Sequence, residues 1–518
     1  MSCITCSNCG FVNLLSAEPS VQNSLQAIRG SEGPVSQLLR GSRSLLDADR
    51  AFIDAEIAEL ERVRSLYDAQ LQELQLRRPA VLEALESRAS IYAPIRRIPR
   101  DILIEIFHLV CDSASLGWDK WVHRAKIRDS LDLSGPLWVL GRVCALWRDT
   151  LHSSPASWAR NVVVHCPFSK RAPEILHFYL KRTGEHPLSL RVVINRSGNP
   201  IKDGEIMSLL IQSAYRWKNV HIDITVDHIH HLESIAKFPA LQTVQIDVLD
   251  DHAYDHRSEM CTKAPQLWKA AFPFQRIHRV RLPPGITHCS IYITCAKDLR
   301  HISHLPKLRT CHLRWSTPVE VKPPVVMTEL RHLYVDLPES LDFLTAPLLE
   351  SLTISYSLSQ GSTCVTSFLR RSGCHLESLS YGMPITSFSW KTQDLISNML
   401  SSEACSTISR LKIEFDEGFG EVAAALTPSS VLPNLHHLIL CLRAHVNQRK
   451  WSPMTDMLRS RRDAGLIKTV ELQFTDDGYK TSIDCDIVAE VKGLAGDNLE
   501  IRVEEWDPPS WEPLFIFY

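Results

Sequence analysis

"APLLESLTI", residues 346–354, carries the pattern on which the fold turns. Leu349, Leu352 and Ile354 stand in an L-x-x-L-x-L arrangement, with Pro347 just ahead of them. The last two apolar residues alternate with polar ones, as a strand with one buried face requires. The proline reads as a turn entering that strand. The pattern, with other apolar residues allowed, recurs as "WKNVHI" at 217, "LQTVQI" at 241, "IHRVRL" at 277, "LRTCHL" at 308 and "LRHLYV" at 330. It continues as "LESLSY" at 376, "ISRLKI" at 408, "LHHLIL" at 435 and "IKTVEL" at 467. The starts lie 19 to 36 residues apart. One such unit cannot bury its apolar face alone. Units stacked side by side, each a parallel strand followed by a turn and a helix or irregular return, bury it in a shared core. The period wanders, and no regular Asn or Cys follows the strand. The expectation is an α/β chain whose residues 161–518 form an irregular leucine-rich-repeat solenoid. An ordinary α/β domain with many strands is the alternative.

The 518 residues suffice for two or three domains with a sizeable core. A net charge of −2 gives no global pull toward nucleic acid or an anionic membrane, so neither is expected as a partner. No uncharged apolar run approaches the roughly 18 residues of a membrane span. The first residues lack the basic and apolar regions of a secretory signal. The 15 cysteines are odd in number and scattered singly after residue 10, which points to reduced thiols in the cytoplasm and/or nucleus.

Residues 1–44 are rich in Ser, Gly and Asn and read as a flexible leader. From 45 to 92 the texture changes. Leu46, Ile53, Ile57, Leu60, Tyr67, Leu71, Leu74, Val81 and Leu85 follow three- and four-residue steps among charged residues. This is the heptad-like seam of one long amphipathic helix. Arg64 and Arg78 interrupt the seam, and Pro79 is expected to kink or stop the helix. Self-association through 45–92 is one expectation; packing on the chain's own domain is the other.

Two apolar helices follow, at roughly 99–111 and 136–152. In the first, Pro99 suits the first turn and Asp101 the positive helix end. Ile98, Ile102, Ile106 and Leu109 form one ridge; Leu103, Phe107 and Val110 form the next. Ser134 and Pro136 announce the second helix as cap and first turn. Its stripe is Leu140, Val143, Cys144, Trp147 and Leu151. A connector containing Trp118 and Trp121 lies between.

"IPRDILIEIF" at 98–107, "VCALWRDT" at 143–150 and "SSPASW" at 153–158 together resemble the F-box. The match spans residues 95–160. The long helix before it and the leucine-rich stretch after it resemble the arrangement of fungal F-box proteins. The resemblance implies a non-catalytic substrate-recognition adaptor of an SCF-type ubiquitin ligase. Its helical unit docks on a Skp-family adaptor, and through it on a cullin-RING ligase, while the solenoid binds a protein substrate. Pro99, Ile102, Leu103, Ile106, Phe107, Val143, Cys144 and Trp147 match the family's core and adaptor-contact positions, without a division between the two roles. A helical pair that only caps the solenoid, in a repeat scaffold without a ligase, is the rival.

Chemistry beyond binding is faintly signalled. Cys3, Cys6 and Cys9 have thiolate spacing suited to zinc but no nearby fourth ligand. His252 and His256, amid Asp250, Asp251 and Asp255, would share a helix face but read as a solvated loop. "DHIHHLES" at 227 is weaker. Gly418, Gly420 and Ala423 follow a G-x-G-x-x-A spacing after a strand, but no acid follows where a ribose would need one. No metal, cofactor or catalytic constellation is expected.

Overall fold

The computed structural model describes residues 2–5, 12–15, 32–41, 44–115, 129–194, 200–249, 258–273, 277–315, 324–354, 361–382, 398–415, 419–443, 452–475, 489, 491–496 and 499–505. The chain divides into two compact units, Met1–Pro99 and Arg100–Tyr518.

In the first unit, β1 (Ser2–Thr5) and β2 (Val12–Leu15) pair antiparallel, and α1 (Glu32–Leu39) follows. The segment read as a leader thus contains regular elements. The dominant element is α2, Asp47–Ala89, 43 residues in one run. Asp49 accepts from the Leu46 backbone N–H at 3.2 Å, and Asp47 and Asp49 sit at the positive helix end. The expectation that Pro79 stops the helix is overturned: the helix runs ten residues past it. A proline removes one hydrogen bond, which the turns on either side outlast. Leu46, Ile57, Leu60, Tyr67, Leu71, Leu74, Val81 and Leu85 of the seam are exposed, and Val63 is buried.

The second unit is mixed α/β, built on a 14-stranded sheet. Its strands are β3 (Val162–His165), β4 (Leu188–Ile194), β5 (Trp217–Thr225), β6 (Thr243–Leu249), β7 (Lys269–Phe272), β8 (His288–Ile293) and β9 (Thr310–Trp315). They continue with β11 (His332–Val335), β13 (Ser351–Ile354), β14 (Ser378–Gly382), β15 (Arg410–Phe415), β16 (His437–Arg443), β17 (Thr469–Thr475) and β18 (Glu500–Glu505). Each pairs in parallel with the next in this order. The short β10 (Val325–Val326) and β12 (Leu344–Thr345) form a separate parallel pair.

The L-x-x-L-x-L pattern fixes the register. Its second apolar position forms one continuous row: Cys311, Leu333, Leu352, Leu379, Leu411, Leu438 and Val470 are successive partners. All of these residues are buried. Burying each leucine contributes about 1.5–3 kcal/mol. A slip of one residue would turn the whole row to the opposite face, so register is strongly specified. One repeat reading is corrected. "IHRVRL" at 277 is a 3-10 turn, Ile277–Arg279, followed by an isolated bridge at Val280. The strands there are β7 and β8, whose apolar residues Ala270, Cys289 and Ile291 fill the same rows.

Return segments join the strands across the core side. The helical ones are α7 (Ala172–Arg182), α8 (Pro200–Gln212), α9 (Ile229–Glu233), α10 (Ala296–Ser303), α11 (Gly361–Ser372), α12 (Phe419–Leu426) and α13 (Ser452–Asp463). Ahead of β3 stand α3 (Arg100–Ser115), α4 (Pro136–Val143), α5 (Ala145–His152) and α6 (Pro155–Ala159).

Candidate functional site

The helices α3 to α6 hold the residues singled out as a partner surface. α3 starts at Arg100, so Pro99 precedes it, exposed, and does not occupy its first turn. Asp101 lies in that turn. Each ridge of α3 is divided between core and surface. Leu103 and Phe107, one helical turn apart, are fully buried. Ile106 is half-buried. Ile102 is 48% exposed, Leu109 68% and Val110 43%.

The expected helix 136–152 is two helices. Cys144 between them is extended, φ −159° and ψ 170°, and α5 restarts at Ala145. The interruption carries no proline. Arg148 instead donates through Nε to the Gly141 carbonyl at 3.0 Å, satisfying a group near the end of α4. Ser134 is not the cap of α4: Gly135 holds that position, and Ser134 donates to Asp132 at 2.6 Å. The break divides the anticipated stripe. Leu140 and Leu151 are buried, Cys144 and Trp147 half-buried, and Val143 is 55% exposed. The Trp147 ring meets Phe107 at 5.0 Å between centroids, which joins α5 to α3. Leu103, Phe107, Leu140 and Leu151 are therefore core. Ile102, Leu109, Val139 and Val143 present apolar surface on α3 and α4.

The same helices are welded to the first edge of the sheet. Ser130 donates its N–H to the Val163 carbonyl at 2.7 Å and accepts from the Val163 N–H at 2.9 Å. Trp138 donates to the Ser130 carbonyl at 2.9 Å. Trp158 is buried and donates to the Leu151 carbonyl at 3.0 Å. The Trp138, Trp158 and Tyr179 rings pack edge to face at 5.2–6.1 Å. The Arg182 guanidinium covers Trp138 and Trp158 at 4.8 and 4.6 Å. His108 meets the Ser157 hydroxyl at 2.9 Å and links α3 to α6. The end strand is thereby covered, as an open sheet requires. Sequence reading marked Trp158 but missed Ser130, Tyr179 and Arg182, which sit outside any motif.

The metal readings fare differently. Cys6, Cys9, His252 and His256 lie outside the described residues, as do Trp118, Trp121 and Gly418. Ala423 is buried and packs α12. A cluster unmarked by the sequence unites His278, Cys295 and Asp298, whose donor atoms lie within 4.8 Å of one another. Hydrogen bonding explains it without an ion. Asp298 accepts from the Thr294 N–H and hydroxyl at 2.9 Å, from the Cys295 N–H at 3.1 Å and from His278 Nδ1 at 2.7 Å. It thus caps α10, and its lone pairs are engaged. Cys295 Sγ lies 3.6 Å from that same Nδ1, so the imidazole cannot relay a proton between thiol and carboxylate as a nucleophilic triad does.

Burial raises the Asp298 carboxyl pKa, but the bonds from His278 and Thr294 outweigh it and hold it below the ordinary 3.8. Its stabilisation is present above pH 4 or so and is lost as pH falls through the lowered folded-state value. Asp298→Asn is expected to cost about 1–3 kcal/mol at pH 7 and to flatten the acid limb of a stability–pH curve measured by urea unfolding.

No family model matches the chain, and no curated protein sequence matches it.

Proposed function

We propose that the chain is the substrate-recognition adaptor of an SCF-type ubiquitin ligase. Residues 95–160 act as an F-box unit that docks on a Skp-family adaptor. The parallel sheet with its returns is an irregular leucine-rich-repeat solenoid that binds substrate. Its role is proximity: it raises the effective concentration of substrate near a charged enzyme held elsewhere in the complex, and makes no bond itself.

The observation that carries the reading is the surplus apolar face on α3 and α4. Leu103 and Phe107 already satisfy the internal core with Trp147, yet Ile102, Leu109, Val139 and Val143 remain in water. A unit that only capped the sheet would need the first set and not the second. The adjacent strand partners Cys289 and Cys311 remain thiols, in keeping with a reducing cytoplasm or nucleus. Among the described residues no helix is long and apolar enough to cross a membrane.

The test is a pull-down of the full chain by a purified Skp-family adaptor. Ile102→Asp with Val143→Asp is expected to abolish capture while leaving the circular dichroism spectrum and thermal midpoint unchanged, since both side chains are exposed. Capture that survives the double substitution, or failure of the intact folded chain to bind, would sink the adaptor reading.

A second reading has its own observation. Ile57, Leu60, Tyr67, Leu71, Leu74, Val81 and Leu85 of the α2 seam are exposed, and Ile53 is half-buried. Pairing of two copies along it would bury that seam. Sedimentation of the full chain is expected to show a concentration-dependent dimer that Leu71→Asp with Leu74→Asp dissociates. A monomer at all concentrations would remove self-association and leave the adaptor reading untouched.

A further inference from the structure

Asp203 lies in the first turn of α8 and is only 2% exposed. A carboxylate suits the positive end of a helix. Acids placed there ordinarily stay in water or accept from the free backbone N–H groups. Asp203 Oδ1 does neither: it is buried and has no hydrogen-bond partner. Buried polar atoms are almost always paired, so this oxygen calls for a partner.

Opposite it stands His228, also buried, at the end of the 3-10 turn Val226–His228. Its Nε2 lies 3.8 Å from Asp203 Oδ2. The residues meet because neighbouring units stack. β4 and β5 pair in parallel, and the returns that follow them, α8 and α9, pack together. The separation discriminates among the ways of joining the two atoms. A charge-assisted hydrogen bond would hold them at about 2.7–2.9 Å. A bridging water, with two hydrogen bonds of about 2.8 Å at a tetrahedral angle, would hold them at about 4.6 Å. A metal ion with bonds of about 2.0–2.2 Å at the same angle would hold them at about 3.4 Å, the nearest of the three to what is found.

A third donor is at hand. His231 lies three residues beyond His228, and residues so spaced share a helix face. It is half-buried, and its ring stacks on that of His228 at 21°, with 6.1 Å between centroids. Two imidazoles on one tetrahedral ion have centroids about 5–5.5 Å apart, so a side-chain shift of about 1 Å brings both onto it. The His230 ring, 4.0 Å from that of His231, is exposed to water.

We propose that Asp203, His228 and His231 form a binding site for a divalent metal ion of the zinc class. Two imidazoles and a carboxylate suit zinc and disfavour calcium and magnesium, which take oxygen ligands. Three protein ligands leave the fourth tetrahedral position to water. The ion supplies the buried carboxylate with the partner that the chain does not, and it ties the β4 return to the β5 return. The cluster of His278, Cys295 and Asp298 differs on this point, since backbone N–H groups and His278 already engage that carboxylate. The stretch "DHIHHLES" at 227 supplies only the histidines; the carboxylate comes from the preceding return. The inference is independent of the adaptor reading.

The test titrates the chelator-stripped full chain with zinc chloride against a chromophoric zinc indicator. Zinc is expected to bind and to raise the thermal midpoint, because an ion held by the folded chain alone stabilises it. Calcium and magnesium are expected to do neither. Cys3, Cys6 and Cys9 offer a rival thiolate site, so cobalt(II) is tried in place of zinc. A site of nitrogen and oxygen gives visible d–d bands without the near-ultraviolet band of a cobalt–thiolate bond. His228→Gln is expected to lower zinc affinity by more than the roughly 10–100-fold that loss of an outer-shell partner costs. His231→Ala guards against a folding artefact. Its half-buried position tolerates truncation, so affinity is expected to fall by about tenfold or more while the metal-free circular dichroism spectrum and thermal midpoint stay as they are. Failure of the intact chain to bind zinc, zinc binding that both variants retain, or a cobalt spectrum showing a thiolate site alone overturns the proposal.

Discussion

Trp158→Ala is expected to destabilise the second unit by about 3–5 kcal/mol. The side chain is buried where the helical unit meets the sheet. Its loss removes two edge-to-face contacts, one of the rings under the Arg182 guanidinium and the hydrogen bond to Leu151. The Leu151 carbonyl at the end of α5 would lose that donor. Trp158→Phe keeps one aromatic ring but loses the N–H and the pyrrole half of the packed indole, so an intermediate cost of about 1–3 kcal/mol is expected. Urea unfolding followed by tryptophan fluorescence and by far-UV circular dichroism reads both. If alanine costs no more than phenylalanine, the aromatic cluster is not what holds the helices to the first strand. If the fluorescence transition alone moves earlier, the helical unit detaches before the sheet melts.

The second large effect lies near the other end of the sheet. Arg461 of α13 is fully buried, and its guanidinium donates to the carbonyls of Leu426 and Val431, with Leu432 and Pro428 within 3.4 Å. It thereby satisfies the end of α12 and the turn that follows, groups that water cannot reach. Burial lowers its pKa to about 10, which leaves it charged at neutral pH. Arg461→Met keeps the length and apolar stem but abandons the carbonyls, and about 3–5 kcal/mol of destabilisation is expected. Arg461→Lys is expected to recover only part, because one ammonium lacks the planar fork that reaches carbonyls on several sides. A methionine variant as stable as the parent would show that the turn finds other donors. Arg371 of α11 donates in the same way to the Leu341 and Leu344 carbonyls, so the device recurs between neighbouring returns.

Both effects rest on residues that no local pattern marks, and the reason is physical. The strands were legible because a half-buried strand leaves a two-residue alternation in its own sequence. "LESLTI" at 349 and "LHHLIL" at 435 became β13 and β16 with their apolar residues in one row. The failure at 277 has the same logic. Ile277 and Val280 are buried, but they line a 3-10 turn, and burial alone does not distinguish a turn from a strand. β7, with "KAAF", lacked the large β-branched residues that mark a strand.

The sequence by itself marked most strands from 217 onward as units of a parallel sheet, the helical character of 45–92 and the two apolar ridges of α3. Each follows from spacing within a few residues of one another. Tertiary structure alone decided that Leu103 and Phe107, of all the apolar residues on these ridges, are core. A helix shows two adjacent apolar ridges equally, and the choice falls to Trp147, placed against Phe107 by an extended Cys144 that carries no local signal. It alone also assembled the row Lys269, His288, Thr310 and His332. These residues are some twenty apart along the chain and become neighbours only because parallel pairing stacks the same position of each unit at one strand spacing.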